Sequence, residues 1–458
     1  MSERPTPPAG GAGWLSARLA TLRHSDFAKA GGLAIAMIAN NVVALAATVV
    51  FARQLDDYGA LAALLAYVLI LSVIGQALQV ATAREAVLGT LGRGPDLAAT
   101  LRSWTRTLLV VTVVLGVVSA LLREPIAAAV GVDEQWAAAC GLPAGVLWLL
   151  LAILRGALQG IGDYRAVGVS LVGEQGARLV FGVLLAAVGL DVTGAFLGTP
   201  VAMGVIALWC GTALRDHLLP PGAEHPPPAP ALRLRDHIAG AWVPIGGLVI
   251  VAVLQNIDVI AAQHRLDQDL ASSYGATTVA AKMLIWVAIG IGFYLVPETS
   301  RRFSAGEPTR PVLLRSLSLL LLCAVPALAI FALVPRLLLR LAFGADRLLA
   351  VDALLPLGVA FTLLALTYLA IQYLLALRAV WFLLPLSAVA ALEPILLLAA
   401  APADPRDFAL LVLAIQALAC AVALALAFTR PRAGARQQPA ARRPARPPRA
   451  AAGSTPRG

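Results

Sequence analysis

The amino-acid sequence predicts an all-α polytopic membrane protein with about twelve transmembrane helices in two six-helix bundles. Its 458 residues are 60% hydrophobic and only 13% charged, and the mean hydropathy is +0.84. Soluble domains are about 25% charged. The apolar residues fall into long runs, and a spanning helix needs about 20 mostly apolar residues. A proline-rich break near the middle of the chain divides these runs into two sets.

The first set of six apolar runs ends near Leu214 and the second begins near Ile238. The break between them, RDHLLPPGAEHPPPAPALRLRDH, is too rich in proline to continue a helix and predicts a linker. The predicted spans are 29–52, 59–83, 104–122, 136–158, 166–189 and 194–214, then 238–262, 270–297, 312–335, 350–377, 380–402 and 407–428.

These runs predict five regions in chain order. They are a cytoplasmic N-terminal segment (1–28), a first bundle (29–214), a cytoplasmic linker (215–237), a second bundle (238–428) and a disordered basic tail (429–458).

The distribution of basic residues predicts the orientation in the membrane. If the N-terminus is cytoplasmic, 26 of the 35 basic residues lie in inner segments and seven in outer ones. Cytoplasmic loops of membrane proteins carry such an excess of lysine and arginine. Both termini are therefore expected in the cytoplasm, and the chain in the cytoplasmic membrane. Because the charges flank apolar runs, the net charge of +10 indicates membrane lipids rather than nucleic acid as the partner.

The two predicted bundles begin with similar sequences. Each has a helix carrying amide or acidic groups, an acidic turn, a Tyr-Gly pair and a second helix with charges near its end. The corresponding residues are Asn40, Asn41, Asp56, Asp57, Tyr58, Gly59, Arg84 and Glu85, and Asn256, Asp258, Asp267, Asp269, Tyr274, Gly275, Glu298 and Arg301. Six helices followed by six in the same orientation predict a parallel repeat about an axis along the membrane normal. Many transporters are built in this way, with the substrate path between the halves.

Three segments carry a resemblance to a known family. They are FAKAGG…FARQLDDYGALAAL…LQVATARE, NIDVIAAQHRLDQDLASSYGATTVAAKMLIW followed by LVPETSRRF, and LLLRLAFGADRLLAVDALLPLGVAFTLLALTYLAIQYLLALR. In order and spacing they resemble the polysaccharide biosynthesis (Wzx-like) flippases of the multidrug/oligosaccharidyl-lipid/polysaccharide (MOP) exporter superfamily. The resemblance implies export of lipid-linked glycan, such as a lipopolysaccharide precursor, by alternating access. The arginine-rich tail departs from the family.

Lys282 and Asp258 are the most conspicuous charges inside predicted spans. A charge at the centre of a spanning helix costs about 2.5–3.5 kcal/mol and normally faces the bundle interior. Lys282 is interpreted either as a cavity cation for the diphosphate of a polyprenyl-linked glycan or as the structural partner of Asp258. Asp258 is a carboxylate that couples transport to H⁺ or Na⁺, the group that neutralises Lys282, or a residue at the outer interface.

Glu174 and Arg178 are four residues apart, so they share one face of a helix. They are expected to pair with each other, and the alternative is that Arg178 projects towards substrate while Glu174 holds it.

The remaining polar candidates are less specific. Arg53 and Arg84 are expected as interfacial anchors, with substrate access as the alternative. Glu393 precedes Pro394, so it either satisfies backbone groups freed by the proline or is a protonated carboxyl. The predicted substrate-binding residues are Lys282, Arg178, Asn40, Asn41, Arg53, Arg84 and Asn256, and the predicted ion-coupling residues are Asp258, Glu174 and Glu393.

Several activities have no support in the sequence. There is no P-loop, no metal-ligand spacing and no outer loop long enough for a catalytic domain, so no cofactor, no metal and no enzymatic activity are expected. The alternatives are a cation-coupled multidrug exporter, a membrane glycan polymerase or ligase, and a scaffold that recruits enzymes through its tail. Glycan-assembly enzymes are the candidate protein partners.

Overall fold

The computed structural model describes residues 26–219 and 232–429, with only the main chain for residues 26–34 and Phe293. The predicted segment before Asp26, the middle of the linker and the tail beyond Thr429 lie outside the described residues. Within the described ranges all regular secondary structure is helical.

The first half contains six long helices and one short one. Their bounds are α1 Asp26–Gln54, α2 Tyr58–Leu88, α3 Pro95–Leu121, the short α4 Arg123–Val130, α5 Gln135–Gly160, α6 Tyr164–Leu185 and α7 Asp191–Leu218.

The second half repeats this order after a short linker helix. Its helices are the linker helix α8 Leu234–Gly240, then α9 Trp242–Arg265, α10 Gln268–Ser304, α11 Arg310–Leu333, the short α12 Pro335–Phe343, α13 Leu354–Ala376, α14 Leu383–Ala400 and α15 Pro405–Phe428. Two short 3₁₀ turns, Ala345–Arg347 and Val351–Ala353, connect α12 to α13.

Eleven helical stretches of the described chain are long and apolar enough to cross a membrane. One of them, Tyr164–Leu218, has 55 residues, about twice what a bilayer requires. It breaks at a five-residue π-helical turn, Ala186–Leu190, where Gly189 has φ 94°. Glycine adopts positive φ without steric cost, so this stretch forms two spans and the total is twelve, as predicted.

Aspartates of the short turns start several helices. The carboxylate of Asp57 accepts a hydrogen bond from the Ala60 amide at 2.9 Å, and Asp163 and Asp404 cap α6 and α15 in the same way. An N-cap carboxylate satisfies amides that have no partner within the helix. The acidic turn before Tyr58 therefore has a structural explanation.

Helix packing repeats between the halves, which confirms the predicted parallel repeat. In the first lobe, α1–α7, the packed pairs include α2 with α5, α6 with α7, α5 with α7, α1 with α6 and α3 with α5. In the second lobe, α9–α15, the equivalent pairs are α10 with α13, α14 with α15, α13 with α15, α9 with α14 and α11 with α13. The sequence did not predict α4 and α12, which occupy equivalent positions in the two lobes.

The lobes meet mainly where α2 packs against α9 and α10. The Gly59 amide donates to the Ser272 hydroxyl at 3.0 Å, and a Cβ on Gly275 would lie 3.2 Å from that of Ala62. The repeated Tyr-Gly pairs thus lie at the interface, where glycine allows the helix ends to approach closely. We call this the outer side, because the charge distribution predicts that it faces out of the cell.

Two arginines form hydrogen bonds between the lobes on the outer side. Arg53, at the end of α1, donates to the Leu341 and Ala342 carbonyls of α12 at 2.7 and 3.2 Å. Arg347 of the second lobe donates to the carbonyls of Ala52, Leu55 and Asp56 at 3.0, 2.5 and 3.1 Å. The contacts are reciprocal, because each lobe supplies a guanidinium to main-chain oxygens of the other.

On the inner side, the linker helix α8 contacts the first lobe. His237 is buried, with Nδ1 2.9 Å from Glu85 Oε2 and Nε2 2.9 Å from the Thr82 hydroxyl, and it stacks on Trp104. Apart from contacts of the linker and α8, every hydrogen bond between the lobes of the described chain lies on the outer side. The structure is therefore an outer-closed state.

Candidate functional site: a cavity between the lobes

A cavity of about 430 Å³ lies between the two lobes. Its walls come from α1, α2, α5, α6 and α7 on one side and from α9, α10 and α13 on the other. The lining is mostly apolar with a set of polar side chains, which include Asn40, Asn41, Gln76, Glu174, Gln175, Arg178, Gln255, Asn256 and Lys282. Five of the predicted substrate-binding residues are thus placed on one cavity.

Lys282 forms the centre of the second-lobe wall. Its Nζ lies 3.6 Å from Asp258 Oδ1 and 3.5 Å from Asn256 Oδ1, and 5.3 Å from the centroid of the Phe361 ring. The Lys282 side chain is 13% exposed, whereas that of Asp258 is fully buried. Lys282 therefore lines the cavity and pairs with Asp258, and its contact with a diphosphate stays a prediction.

Behind this wall lies a buried acidic cluster, which we define as Asp258, Tyr274, Glu393 and Gln416. The Tyr274 hydroxyl donates to Asp258 Oδ2 at 3.3 Å, and Gln416 Nε2 donates to Glu393 Oε1 at 3.0 Å and to the Leu254 carbonyl at 2.7 Å.

One oxygen each of Asp258, Glu393 and Gln416 has no hydrogen-bond partner among the described residues. A buried carboxyl in this situation favours a bound proton or cation. Asp258 Oδ1 already faces the Lys282 ammonium at 3.6 Å, so ion coupling at this cluster stays a prediction.

Glu174 does not pair with Arg178, so the expected pairing is wrong. Its Oε2 lies 2.8 Å from Nη2 of Arg155 on α5. Arg155 also donates to the hydroxyl and the carbonyl of Ser170 at 2.8 and 2.7 Å. Both charged side chains are at most 4% exposed. Arg155 is one of the 26 basic residues that the sequence places in inner segments, but in the structure it is a buried partner that holds Glu174 to α5.

Arg178 consequently keeps its charge unpaired on the first-lobe wall. No acidic group in the described part of the chain lies within 4 Å of its guanidinium, and Glu174 acts on it only through space. Asn40 and Asn41 lie on the same side of the cavity, where Asn40 Nδ2 donates to the side-chain oxygen Oδ1 of Asn41 at 3.2 Å.

The structure does not bring Arg53 and Arg84 to the cavity. Arg53 joins the lobes on the outer side, and Arg84 is exposed near the inner end of α2. Their geometry agrees with positions at the two membrane surfaces. Their contact with substrate stays a prediction that this arrangement does not support.

Several wall residues were not predicted as functional. Trp148, Gln175 and Thr199 line the cavity, and each has a buried polar atom without a partner within the described ranges. Gln175 could have been found from its position beside Glu174 in an apolar run. Trp148 and Thr199 carry no such signal, because both residues are common in membrane helices.

Comparisons with solved structures identify the fold. The chain is similar to an inward-facing multidrug resistance MATE family transporter of the MOP superfamily, with 13% identity, a TM-score of 0.67, and coverage of 85% of this chain and 93% of that one. It is also similar to the lipid II flippase MurJ in an inward closed conformation, with 14% identity, a TM-score of 0.68, and coverage of 87% and 88%. An outward-facing MATE transporter of the MOP superfamily matches with 14% identity, a TM-score of 0.53, and coverage of 86% and 92%.

No family model matches the chain, and no curated protein matches it. The protein is thus a multi-pass membrane protein with the two-lobed fold of MOP-superfamily transporters. The solved structures to which it is similar are transporters and flippases.

Proposed function

We propose that the protein is a flippase that moves a lipid-linked oligosaccharide or polysaccharide precursor across the cytoplasmic membrane by alternating access. The observation that supports this most is the cavity between two matched lobes, which is closed on the outer side and has basic and amide groups on its walls. A glycan head bearing a diphosphate needs hydrogen-bonding and cationic groups to cross a hydrocarbon core about 30 Å thick. Lys282, Arg178, Asn40, Asn41 and Asn256 are the groups proposed to contact it.

In the proposed cycle the substrate binds while the outer contacts are intact. Release requires the contacts of Arg53, Arg347 and the Gly59–Ser272 pair to break, so that the lobes separate on the outer side. The lipid tail stays in the membrane while the head crosses between the lobes.

The buried acidic cluster is the proposed coupling site. Neutralising Asp258 by H⁺ or Na⁺ weakens its hold on Lys282, which frees the ammonium to contact the substrate. Glu393 contributes a second carboxyl to the same cluster. Glu174 is a weaker candidate, because Arg155 already satisfies its charge.

A cation-coupled multidrug exporter is the second candidate. The aromatic residues Trp148, Trp286 and Tyr368 of the cavity favour it, because aromatic faces attract organic cations. The half-buried charge of Arg178, which has no acidic partner within 4 Å among the described residues, disfavours it. Efflux of a hydrophobic cationic dye by reconstituted protein distinguishes this candidate, and turnover of lipid-linked sugar without transport would indicate a polymerase or ligase.

The test of the proposed function is flipping of a fluorescent polyprenyl-diphosphate oligosaccharide in proteoliposomes. We expect Lys282→Met to abolish flipping, and Arg315→Gln, an exposed arginine of the same lobe, to retain it. Because Lys282→Met leaves Asp258 buried and unpaired, the double variant Lys282→Met/Asp258→Asn is the matched comparison.

If the double variant recovers flipping, Lys282 serves only to neutralise Asp258, and its assignment to the substrate site is wrong. If wild-type protein flips no such lipid, the proposed function is wrong.

A further inference from the structure

Most basic side chains of the outer segments have partners within the protein. Four of these seven donate side-chain hydrogen bonds to described residues, and they are Arg53, Arg123, Arg265 and Arg347. The other three, Arg336, Arg340 and Arg406, are exposed, and their side chains form no hydrogen bond or ion pair with a described residue. Two of these three lie on the short helix α12. Their guanidinium groups are therefore available to a partner outside the chain.

One face of α12 is apolar and points away from the protein. Leu339 and Phe343 are buried in the core, whereas Leu337 and Leu341 are 54% and 68% exposed. Residues four apart share one face of a helix, so the two exposed leucines form a continuous strip. The nine residues of α12 extend about 14 Å, which is too short to cross a bilayer. An apolar strip on such a helix is typical of a helix that lies in the membrane interface.

The preceding helix brings this strip to the edge of the bilayer. A single residue separates α11 from α12. The outer end of α11 is apolar and exposed, since Val325, Ile330 and Leu333 are 62%, 48% and 80% exposed. Because α11 is long and apolar enough to span the membrane, we expect this surface to face lipid. The exposed leucines of α12 continue it on the outer side.

The two arginines of α12 lie beside the apolar strip. Arg336 precedes Leu337 and Arg340 precedes Leu341, so the arginines occupy a neighbouring face of the helix, one turn apart. Arginine at a membrane surface places its apolar stem along the hydrocarbon and its charge among the headgroups. Guanidinium groups bind phosphate oxygens in a bidentate manner. The pattern of leucine and arginine on α12 therefore matches the acyl chains and the phosphate of a lipid.

The equivalent helix of the first lobe does not have this pattern. The arginine of α4, Arg123, donates to Gln135 at 3.1 Å and lies 4.9 Å from the centroid of the Trp136 ring. It is followed by the exposed Glu124, so α4 carries no net charge. The two-lobed fold thus accommodates this helix without unpaired arginines or exposed leucines, and their presence on α12 is particular to the second lobe.

We infer that α12 is an interfacial helix that binds the phosphate headgroup of an anionic phospholipid in the outer leaflet. Leu337 and Leu341 contact the acyl chains, and Arg336 and Arg340 contact the phosphate. The lipid-facing surface of α11 next to this helix favours a lipid over a soluble acidic partner. The surface is separate from the cavity between the lobes, and the inference does not depend on the proposed function.

The experiment places a fluorophore on α12 of the full-length protein. In a cysteine-free background, Leu337→Cys is labelled with bimane, and the protein is reconstituted into phosphatidylcholine bilayers. These contain either phosphatidylglycerol or phosphatidylcholine with a nitroxide on the acyl chain, and quenching of the bimane reports which lipid lies beside the helix. We expect both lipids to quench, with phosphatidylglycerol enriched about fivefold over phosphatidylcholine, because each arginine attracts anionic lipid.

Three further variants in this labelled background separate charge from packing. Arg336→Gln/Arg340→Gln should abolish the preference, so that the two lipids quench equally, because the leucines still hold the helix at the membrane. Arg336→Lys/Arg340→Lys keeps both charges and should retain most of the preference. Arg406→Gln is the matched control, since Arg406 is an exposed arginine of the outer side that lies on another helix, and it should leave the preference unchanged.

Equal quenching by the two lipids when both arginines are present would overturn the inference. So would a preference for phosphatidylglycerol that persists in the double glutamine variant. Absence of quenching by either lipid would show that α12 lies in water, where a soluble acidic partner is the alternative, and would equally overturn it.

Discussion

Replacing Arg347 should shift the protein from the outer-closed to the outer-open state. Arg347 is buried, and it donates three hydrogen bonds to main-chain oxygens at the end of α1 and in the following turn, although it belongs to the second lobe. Separation of the lobes on the outer side must break all three. The Arg347→Met variant removes the donors while it keeps an apolar side chain of similar length.

The size of the shift follows from these contacts. A hydrogen bond that involves a charged group contributes about 1.5–3 kcal/mol. Two of the three bonds share Nη2, and water replaces part of the interaction after opening, so we take about 3 kcal/mol for the whole residue. Each 1.4 kcal/mol is a factor of ten, which gives a shift of roughly 100-fold in the equilibrium between the states. An outer-open population of about 1% would then become comparable to the outer-closed one.

Double electron–electron resonance between spin labels on the two lobes measures this shift. Labels at Arg165 and Ser304, which are exposed at the inner ends of α6 and α10, report the separation of the lobes there. The four cysteines, Cys140, Cys210, Cys323 and Cys420, are replaced first.

We expect Arg347→Met to move the distribution towards shorter inner distances, and Arg340→Ala, an exposed arginine of α12, to leave it unchanged. An Arg347→Met distribution identical to that of wild type would refute the assignment of Arg347 to the outer closure.

Two further predictions concern the outer side. Gly59→Ala should favour opening, by about 1–3 kcal/mol, because its Cβ would lie 2.6 Å from Gln263 Oε1 and 3.0 Å from the Ser272 amide nitrogen. The same resonance measurement tests this, with Gly116→Ala as control, since nothing lies within 4 Å of its added Cβ; equal distributions for the two variants would contradict it. Burial raises the pKa of Glu134, beside α5, above its ordinary value of 4.5. A raised pKa stabilises the fold below the ordinary value, and this contribution is lost as the pH rises through the folded-state pKa. Glu134→Gln should therefore reduce the fall in melting temperature between pH 4.5 and 7, and an unchanged fall would show that Glu134 does not contribute.

The spans and the repeat were predictable because membrane helices are defined by length and apolarity. Both are properties of local sequence. The repeated Tyr-Gly pairs were also visible, but their contact across the lobe interface is a tertiary feature that the sequence does not show.

The pairing of charges was not predictable in the same way. Arg155 lies near the end of an apolar run, where an arginine usually reaches the membrane surface. Only the packing of α5 on α6 shows that it meets Ser170 and Glu174 instead. Similarly, Gln416 of α15 is a partner of Glu393 of α14, and nothing in the spacing of the two residues indicates this contact.

The hydrogen bonds that Arg53 and Arg347 form between the lobes could not be predicted for a different reason. Their acceptors are main-chain carbonyls, which every residue has, so no side-chain pattern marks them. The sequence therefore predicted most of the charged and amide side chains that line the cavity, but not which of these charges are paired or which contacts join the lobes.

The central claim is that the protein moves a lipid-linked glycan by alternating access. A reversible disulfide cross-link between the two lobes tests this claim most directly. In a cysteine-free background, Ala62→Cys/Gly275→Cys places two thiols across the outer interface, where the Cβ atoms would be 3.2 Å apart, close to the separation of about 3.5–4.5 Å in disulfides. The measurement is flipping of a fluorescent polyprenyl-diphosphate oligosaccharide by this variant in proteoliposomes, before and after oxidation. We predict that the reduced protein flips the lipid, that the cross-linked protein does not, and that reduction restores flipping. Undiminished flipping by fully cross-linked protein would contradict the account.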